Sequence, residues 1–547
     1  MEKYKVLDLF AGAGGLSLGF TQTDRFETVM AVEINKNAAR TYTQNHNLEV
    51  YTQDIRSINF TDYVKFPELK EVNVIVGGPP CQGFSNSNRQ KSELFSNNNL
   101  LVKEFVRAIK EVHPIAFVME NVKTITSDKH KFFATSDELN ELSSIGIQIK
   151  EENLFIGNLK SFNQHLVNIF NHGDITGAFV DANLLTKLKS LSRFINKHQS
   201  AKGFFDKNSS FLIRSVQNWN KHFNHYNNEE IKELIRKLKI SIEFSLNKDG
   251  CSLTLLEEVK QVIEIHNITL IFKEIIDKKM KCTNAFIMED KGIVIKGYTF
   301  TVLDFLLNTF KSLGYQLDFG VLNSAQFGVP QERNRYFIIG NKKSKPILPK
   351  AILARDEFFN IGHAISDIAD LQPVFSPLDE TKIKKIKKSD HPLSSYLNAE
   401  VDYLPNHIVT QSTKIALERF KSLTPGQNFH DLDDSLKSTY ADTKRTQNTI
   451  YKRLNYIDVC KTVVNVRKSM WVHPTKNRAI SIREAARLQS FPDDYIFYGS
   501  KDSQYQQIGN AVPPLLGRAV AEGVLHSFNE KPTIRLSKLF NIQSTTS

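Results

Sequence analysis

Cysteine is scarce: the 547 residues contain four, Cys81, Cys251, Cys282 and Cys460. No two of them stand at the C-x-x-C spacing that zinc sites and redox pairs favour, which argues against a metal or disulfide framework. Long apolar runs are also missing, and none approaches the roughly 20 residues needed to span a bilayer. The opening Met1-Glu2-Lys3-Tyr4-Lys5-Val6-Leu7-Asp8 lacks the apolar centre of a secretory signal and enters a charged strand pattern directly, so the expected location is cytoplasmic. Internal repeats and low-complexity tracts are absent. Negative charge is in the minority, with 59 acidic against 71 basic residues and a net charge of +12. That balance suits a polyanionic partner, because clustered cations release counterions from phosphates. A merely lysine-rich protein would carry the same excess.

The length exceeds one ordinary core and predicts a large catalytic-type domain with at least one further domain or insertion. The first third alternates β-rich runs with helical patterns, as parallel βαβ units do. Strands are expected at Lys5 to Phe10, Thr28 to Glu33, Glu49 to Tyr51, Val72 to Val76 and Ile115 to Met119. Helices are expected from Leu16 to Phe20, from a cap at Asn35 to about Asn45, and from Leu100 to Glu111. A lysine- and asparagine-rich region with helical apolar spacing follows. The βα pattern resumes with a helix from Val302 to Leu313 and strands at Leu317 to Leu322 and Arg335 to Gly340. Further on, Ser481 and Glu484 have the spacing of a capping box, and a closing helix is expected from about Leu515 to Ser527.

Two loops carry candidate chemistry. Asp8-Leu9-Phe10-Ala11-Gly12-Ala13-Gly14-Gly15-Leu16 lies between a strand and a helix, where glycines let backbone approach a nucleotide-like ligand, and Glu33 at the end of the second strand could accept from ribose hydroxyls. A nicotinamide-dinucleotide reading is weakened because Ser17 occupies the third glycine position of G-x-G-x-x-G. The second loop, Gly77-Gly78-Pro79-Pro80-Cys81-Gln82-Gly83-Phe84-Ser85, holds a thiol behind two prolines. A lone cysteine in such a turn is more often a small buried residue than a nucleophile.

Taken together with Glu120-Asn121-Val122, Gln326-Phe327-Gly328-Val329-Pro330-Gln331-Glu332-Arg333-Asn334-Arg335, Arg483-Glu484-Ala485-Ala486-Arg487-Leu488-Gln489 and Gln507-Ile508-Gly509-Asn510-Ala511-Val512-Pro513, these loops give six blocks in one order. In that order the chain resembles the DNA (cytosine-5) methyltransferases of the restriction-modification type. The resemblance covers residues 1 to about 125, about 298 to 340 and about 473 to 528. It implies an α/β, Rossmann-like methyltransferase domain that takes S-adenosyl-L-methionine as methyl donor and double-stranded DNA as substrate.

By that resemblance Cys81 is the nucleophile that adds to C6 of the base, since C5 of cytosine is too weak a nucleophile until the ring is activated. Glu120 binds the N3/N4 edge, and Arg335, with Arg333, holds the cytosine carbonyl and the thiol environment. The two arginines alternate along a strand and so share a face. Phe10, Gly12, Gly14, Glu33, Asp54, Ile55, Pro80, Asn510 and Ala511 are assigned to the methyl donor, and no residue to a metal. Asp54 could equally be a loop acid capping a turn. The target atom is inaccessible in a stacked duplex, so the base is expected to flip out.

The domain expectation divides the chain into catalytic parts at 1–123 and 298–340, a mainly helical insertion at 124–297, a smaller target-recognition domain at 341–476, a catalytic return at 477–530 and a tail at 531–547. Arg453, Leu454, Thr462, Arg467, His473 and Pro474 sit near the end of the recognition region with family-type spacing. The insertion is expected to contact DNA flanking the target or to extend recognition. A monomer is expected, with a cognate restriction endonuclease as a partner in the same system and no membrane. An RNA cytosine methyltransferase, or a non-catalytic DNA-binding regulator on the same fold, are the alternatives.

Overall fold

The alternating pattern of the first third builds one half of a doubly wound sheet. The computed structural model describes residues 2–80, 97–128, 130–159, 162–172, 181–198, 201–223, 229–247, 253–289, 291–378, 383, 390–399, 401–440, 443–444 and 446–542. Strands β1 (Tyr4–Leu9), β2 (Phe26–Val32), β3 (Val50–Tyr51), β4 (Val74–Gly77) and β5 (Ala116–Val122) run parallel in the order β5-β4-β1-β2-β3. Val6, Leu7, Val74, Ile75, Val76, Phe117 and Val118 are fully buried, as strands covered on both faces must be. Helices Gly15–Thr21, Lys36–His46 and Asn97–Val112 connect them. The Asn35 side chain caps the second, accepting from the N–H groups of Asn37 and Ala38.

From β1 the chain winds outward to β2 and β3, then returns past β1 to lay down β4 and β5 on the other side. The winding therefore reverses between β1 and β4, and the loops that follow these two strands leave the sheet side by side at its carboxyl edge. Crevices of this kind are where open α/β sheets bind ligands.

After β5 a turn at Lys123–Thr126 leads to a second compact unit that includes Asp128–Asn308. It has its own core, centred on helix Leu253–Asp277, whose Leu255, Val259, Val262, Ile265, Ile268, Phe272 and Ile275 recur at helical spacing and are buried among Leu184, Leu188 and Leu191. Helices Ala182–His198, Lys202–Phe223 and Glu229–Asn247 make it mainly helical. It also holds an antiparallel sheet absent from the sequence reading: β6 (Lys131–Phe133), β7 (Lys150–Gly157), β8 (Phe286–Met288) and β9 (Gly292–Thr301), with β9 pairing to the other three. Strands this short, or as polar as Lys150-Glu151-Glu152-Asn153, give little period-two signal.

Helix Val302–Ser312 then precedes β10 (Gln316–Asn323) and β11 (Asn334–Asn341). β11 runs antiparallel to both β5 and β10 and extends the first sheet to β10-β11-β5-β4-β1-β2-β3. Two boundaries differ from expectation in ways that matter. β5 continues to Val122, which places Glu120 inside the strand, and β11 begins at Asn334, one residue before the expected start yet short of Arg333, so the two arginines do not alternate along one strand.

Most of the remaining chain is irregular, but it is not separate from the core: Leu393, Leu404, Ile408, Leu454, Val463 and Trp471 pack into the cluster that contains Val6, Val76 and Phe337. A satellite cluster of Ala416, Phe420, Phe429 and Tyr451 lies beside it. Helix Ile482–Leu488 carries the anticipated capping box, Ser481 accepting from the Glu484 N–H and Glu484 from the Ser481 N–H. Helix Lys501–Asn510 and the closing helix Pro514–Ser527 follow; Leu516 and Val520 of the latter share the core with Leu16 and Phe20 of the first helix. Among the described residues no helix is long and apolar enough to cross a membrane.

Candidate active site

The loop after β1 is built from unusual backbone. Phe10 (φ 57°), Gly12 (φ 55°) and Gly14 (φ 83°) all adopt left-handed conformations, which for a phenylalanine costs about 1–2 kcal/mol and persists only where the surroundings enforce it. A side chain at Gly12 would meet nothing within 4 Å, so the loop opens there onto free space. The Gly12 N–H donates to Glu33 Oε2 at 2.9 Å and the Asn35 N–H to Glu33 Oε1 at 2.7 Å. Burial raises the affinity of Glu33 for a proton, and the two amide donors oppose it. Each carboxylate oxygen keeps a further lone pair for a hydroxyl. Next to it, Ile34 is 64% exposed and presents an apolar face that the sequence reading did not single out.

Asp54 and Ile55 follow β3, beside the end of β2, where the Glu33 N–H donates to Tyr51 O at 3.1 Å. Asp54 caps the short turn Ile55–Ser57 and is gripped by the Arg56 guanidinium, Nε donating to Oδ1 at 3.0 Å. The turn-capping reading of Asp54 is thus realised, and Arg56 holds its carboxyl below the usual range. Asn510 and Ala511 end helix Lys501–Asn510. They reach the glycine loop through the next residue: a Cβ on Gly15 would lie 2.2 Å from Val512 O.

The second loop approaches the same edge. Cys81 lies outside the described residues, but the chain up to Pro80 is described. The Asn121 side chain donates to Pro79 O at 3.3 Å, and a Cβ on Gly78 would stand 2.7 Å from Glu120 Oε2. The backbone leading to the cysteine is therefore held against the Glu120 carboxyl. That carboxyl is ion-paired to Arg335, Nε to Oε1 at 2.9 Å, with both side chains about one-seventh exposed. Burial pushes the Glu120 carboxyl up, while Arg335 and then Arg333 pull it down.

Arg333 requires a correction. It is 1% exposed and lies outside β11, so it does not share a face of that strand with Arg335. The chain turns off the strand before Asn334, and the Arg333 guanidinium instead donates to Val463 O (3.1 Å), Gly509 O (2.9 Å) and Asn510 O (3.4 Å). Burial and the neighbouring Arg335 charge lower its proton affinity, against the pull of Glu120. It ties the Asn510 segment to Val463.

Most of the other polar residues in these blocks also turn inward. Gln331 donates to Leu488 O and accepts from the Val463 N–H, Thr462 donates to Glu332 O, and Arg453 donates to His473 O. Arg467 pairs with Asp502 at the surface. Arg487 is held by Asp493 and Asp367, and Glu484 by Arg478. These blocks earn their sequence pattern as a buried polar lattice that places the loops. Two further residues, His46 and Tyr495, meet the glycine loop and escaped the sequence reading.

A family model described as C-5 cytosine-specific DNA methylase matches residues 4–157 and 264–526. The type II methyltransferase M.DdeI of Desulfomicrobium norvegicum is 25% identical over 545 residues, covering 95% of this chain and 88% of that protein. The DNA (cytosine-5-)-methyltransferase M.ApeKI of Aeropyrum pernix is 24% identical over 551 residues, covering 96% and 98%. A solved structure described as a DNA modification methyltransferase encoded within an E. coli prophage aligns with a TM-score of 0.51 and 19% identity, over 96% of this chain and 100% of that one, and shares the fold. Because the matched segments include both strand-end loops and the β5–β11 pair between which the ion pair lies, the chain belongs to the C-5 cytosine-specific DNA methylases.

Proposed function

We propose that this DNA cytosine-5 methyltransferase uses S-adenosyl-L-methionine to methylate a cytosine flipped out of a specific duplex sequence, with Cys81 as nucleophile. The observation that carries the reading is the Glu120–Arg335 pair set against Gly78, three residues before Cys81. The thiolate of Cys81 adds to C6 of the base and pushes electron density to C5. Glu120, whose burial favours its protonated form, donates to N3 and accepts from the exocyclic amine, so the ring nitrogen can take up charge during the addition. Arg335 orients Glu120 and directs its remaining N–H groups to the O2 carbonyl.

The glycine loop fits a nucleoside-type donor: Gly12 opens to free space, Glu33 has acceptor capacity left for the ribose, and Ile34 offers an apolar face for the adenine. Phe10, Gly14, Pro80, Asn510 and Ala511 complete that pocket, and Ile55 lines the adenine edge with Asp54, whose carboxyl is shared with Arg56. Bound there, S-adenosyl-L-methionine supplies an electrophilic methyl group to the activated C5. Loss of the C5 proton to a base and expulsion of the Cys81 thiolate then restore the aromatic ring.

Residues 341–476 are read as the target-recognition domain, with 477–530 as the catalytic return and 531–547 as a tail. The insertion at 124–297 is read as extending contact to DNA around the site; a deletion that leaves DNA affinity and site choice unchanged would remove that reading. Double-stranded DNA is the partner, and the type II methyltransferase names of the relatives support a restriction-modification setting; a cognate endonuclease, a monomeric enzyme and a cytoplasmic location belong to the same reading. The test is transfer of labelled methyl to unmodified DNA by wild type and Cys81→Ser, with 5-methylcytosine mapped by position. Label at one recurring motif, lost in the variant, is expected; label retained in the variant would unseat Cys81.

A further inference from the structure

The carbonyl groups of Ala13 and Gly14, in the middle of the glycine loop, are each met by a side chain from a distant segment, Tyr495 buried and His46 partly so. Tyr495 Oη donates to Ala13 O. His46 Nε2 lies 3.2 Å from Gly14 O and 3.1 Å from Tyr495 Oη. A carbonyl can only accept, so Nε2 carries the proton and is shared between the two oxygens, while the Tyr495 proton goes to Ala13. Burial lowers the His46 pKa to about 4, so the ring is neutral near pH 7. It stacks on Tyr42 at 4.2 Å and meets the Tyr495 ring edge-on at 5.9 Å.

The fit is mutual. A Cβ on Gly14 would fall 2.4 Å from His46 Nε2 and 2.6 Å from Tyr495 Oη, so the loop sits directly on these two polar atoms. The two residues come from distant segments that are bolted together beside the contact. Asn45 donates to Ile496 O at 2.8 Å and accepts from the Ile496 N–H at 2.8 Å. Arg483 in turn donates to Tyr495 O and to Pro405 O, each at 2.8 Å. Fixing two successive carbonyls fixes the planes of two successive peptides, on either side of the left-handed Gly14.

We propose that His46 and Tyr495 are positioning residues for the methyl donor: they set the shape of the Phe10–Gly15 turn, and so the affinity for S-adenosyl-L-methionine, without touching it. The inference rests on the reading of this turn as the donor site.

The test measures equilibrium binding of S-adenosylhomocysteine by calorimetry, together with kcat and donor KM, for Tyr495→Phe, His46→Ala, His46→Gln and Glu33→Ala. Tyr495→Phe keeps the ring and loses one donor; His46→Gln keeps an N–H able to reach Gly14. Losing a donor to the loop should weaken binding and raise donor KM about five- to tenfold for Tyr495→Phe and His46→Ala. Under saturating donor kcat should stay within about threefold, DNA KM should not move, and His46→Gln should recover most of the loss. Unchanged binding in Tyr495→Phe and His46→Ala, with Glu33→Ala greatly weakened, overturns the positioning role alone. Unchanged binding in Glu33→Ala as well overturns the donor site and this inference with it. A lower melting temperature with unaltered donor affinity would mark both residues as packing only.

Discussion

Arg335 and Glu120 face each other diagonally across β11 and β5, Nε to Oε1 at 2.9 Å. In the antiparallel register Arg335 is opposite Val122 and Phe337 opposite Glu120, so the two charged residues occupy adjacent positions on one face. The pair is therefore fixed by sheet hydrogen bonding, not by a flexible loop.

Arg335→Lys should be nearly as damaging as Arg335→Ala. Lysine offers a point charge, whereas the guanidinium can hold Glu120 with one edge and a base carbonyl with another. A fall in kcat of about a hundredfold or more is expected for both, with normal circular dichroism and donor affinity. Lysine retaining wild-type kcat would show that charge alone suffices.

Gly78→Ala should cripple the enzyme without unfolding it. The added methyl would sit 2.7 Å from Glu120 Oε2 and must displace either the carboxyl or the backbone that leads to Cys81. A displacement of this size costs about a hundredfold in well-aligned chemistry. Single-turnover methyl transfer is the measurement, since it separates chemistry from DNA binding and product release.

Arg333→Met should act on stability. It strands the carbonyl oxygens of Val463, Gly509 and Asn510 inside the protein, and losses of buried partners of this kind run to about 3 kcal/mol or more. A clear drop in melting temperature is expected, together with weaker donor binding because Asn510 loses its anchor. An unchanged melting temperature would return Arg333 to a direct role at the base.

Asp8→Asn should alter the pH dependence of stability. Asp8 is 1% exposed and hydrogen-bonded by Ser17 Oγ at 2.5 Å; burial raises its pKa from 3.8 to about 7. The folded state then keeps a proton that the unfolded chain releases near pH 4. The resulting stabilisation is complete below pH 4 and is lost as pH climbs through 7, an upper bound of about 4 kcal/mol. Denaturation at pH 5 and pH 8 should show wild type losing stability over that interval and Asp8→Asn losing much less.

Much of this was legible in the chain. The strands around Val6 and Val74 announced themselves by continuous burial-prone runs, and the Ser481 to Glu484 capping box needed only its spacing. Arg333 was misread because alternation with Arg335 assumes that a strand extends to both, and nothing local announces that the chain leaves the sheet at Asn334. His46 and Tyr495 were invisible for a different reason. Their partners are 32 and 482 residues away along the chain, and a backbone carbonyl, which every residue has, leaves no trace in a sequence. Strands β6 and β8 are three residues each, too short for any period.

The ends of the second unit have a practical consequence. Lys131 of β6 pairs with Thr301 of β9, and the Val302 N–H donates to His130 O at 3.0 Å. Entry and exit therefore lie one strand spacing apart, about 5 Å. Some 170 residues leave and rejoin the chain through a gap that two or three glycines can bridge. The stretch between Lys131 and Thr301 can therefore be exchanged for a short linker, and comparing the shortened chain with the full one tests whether that stretch takes part in choosing a DNA site.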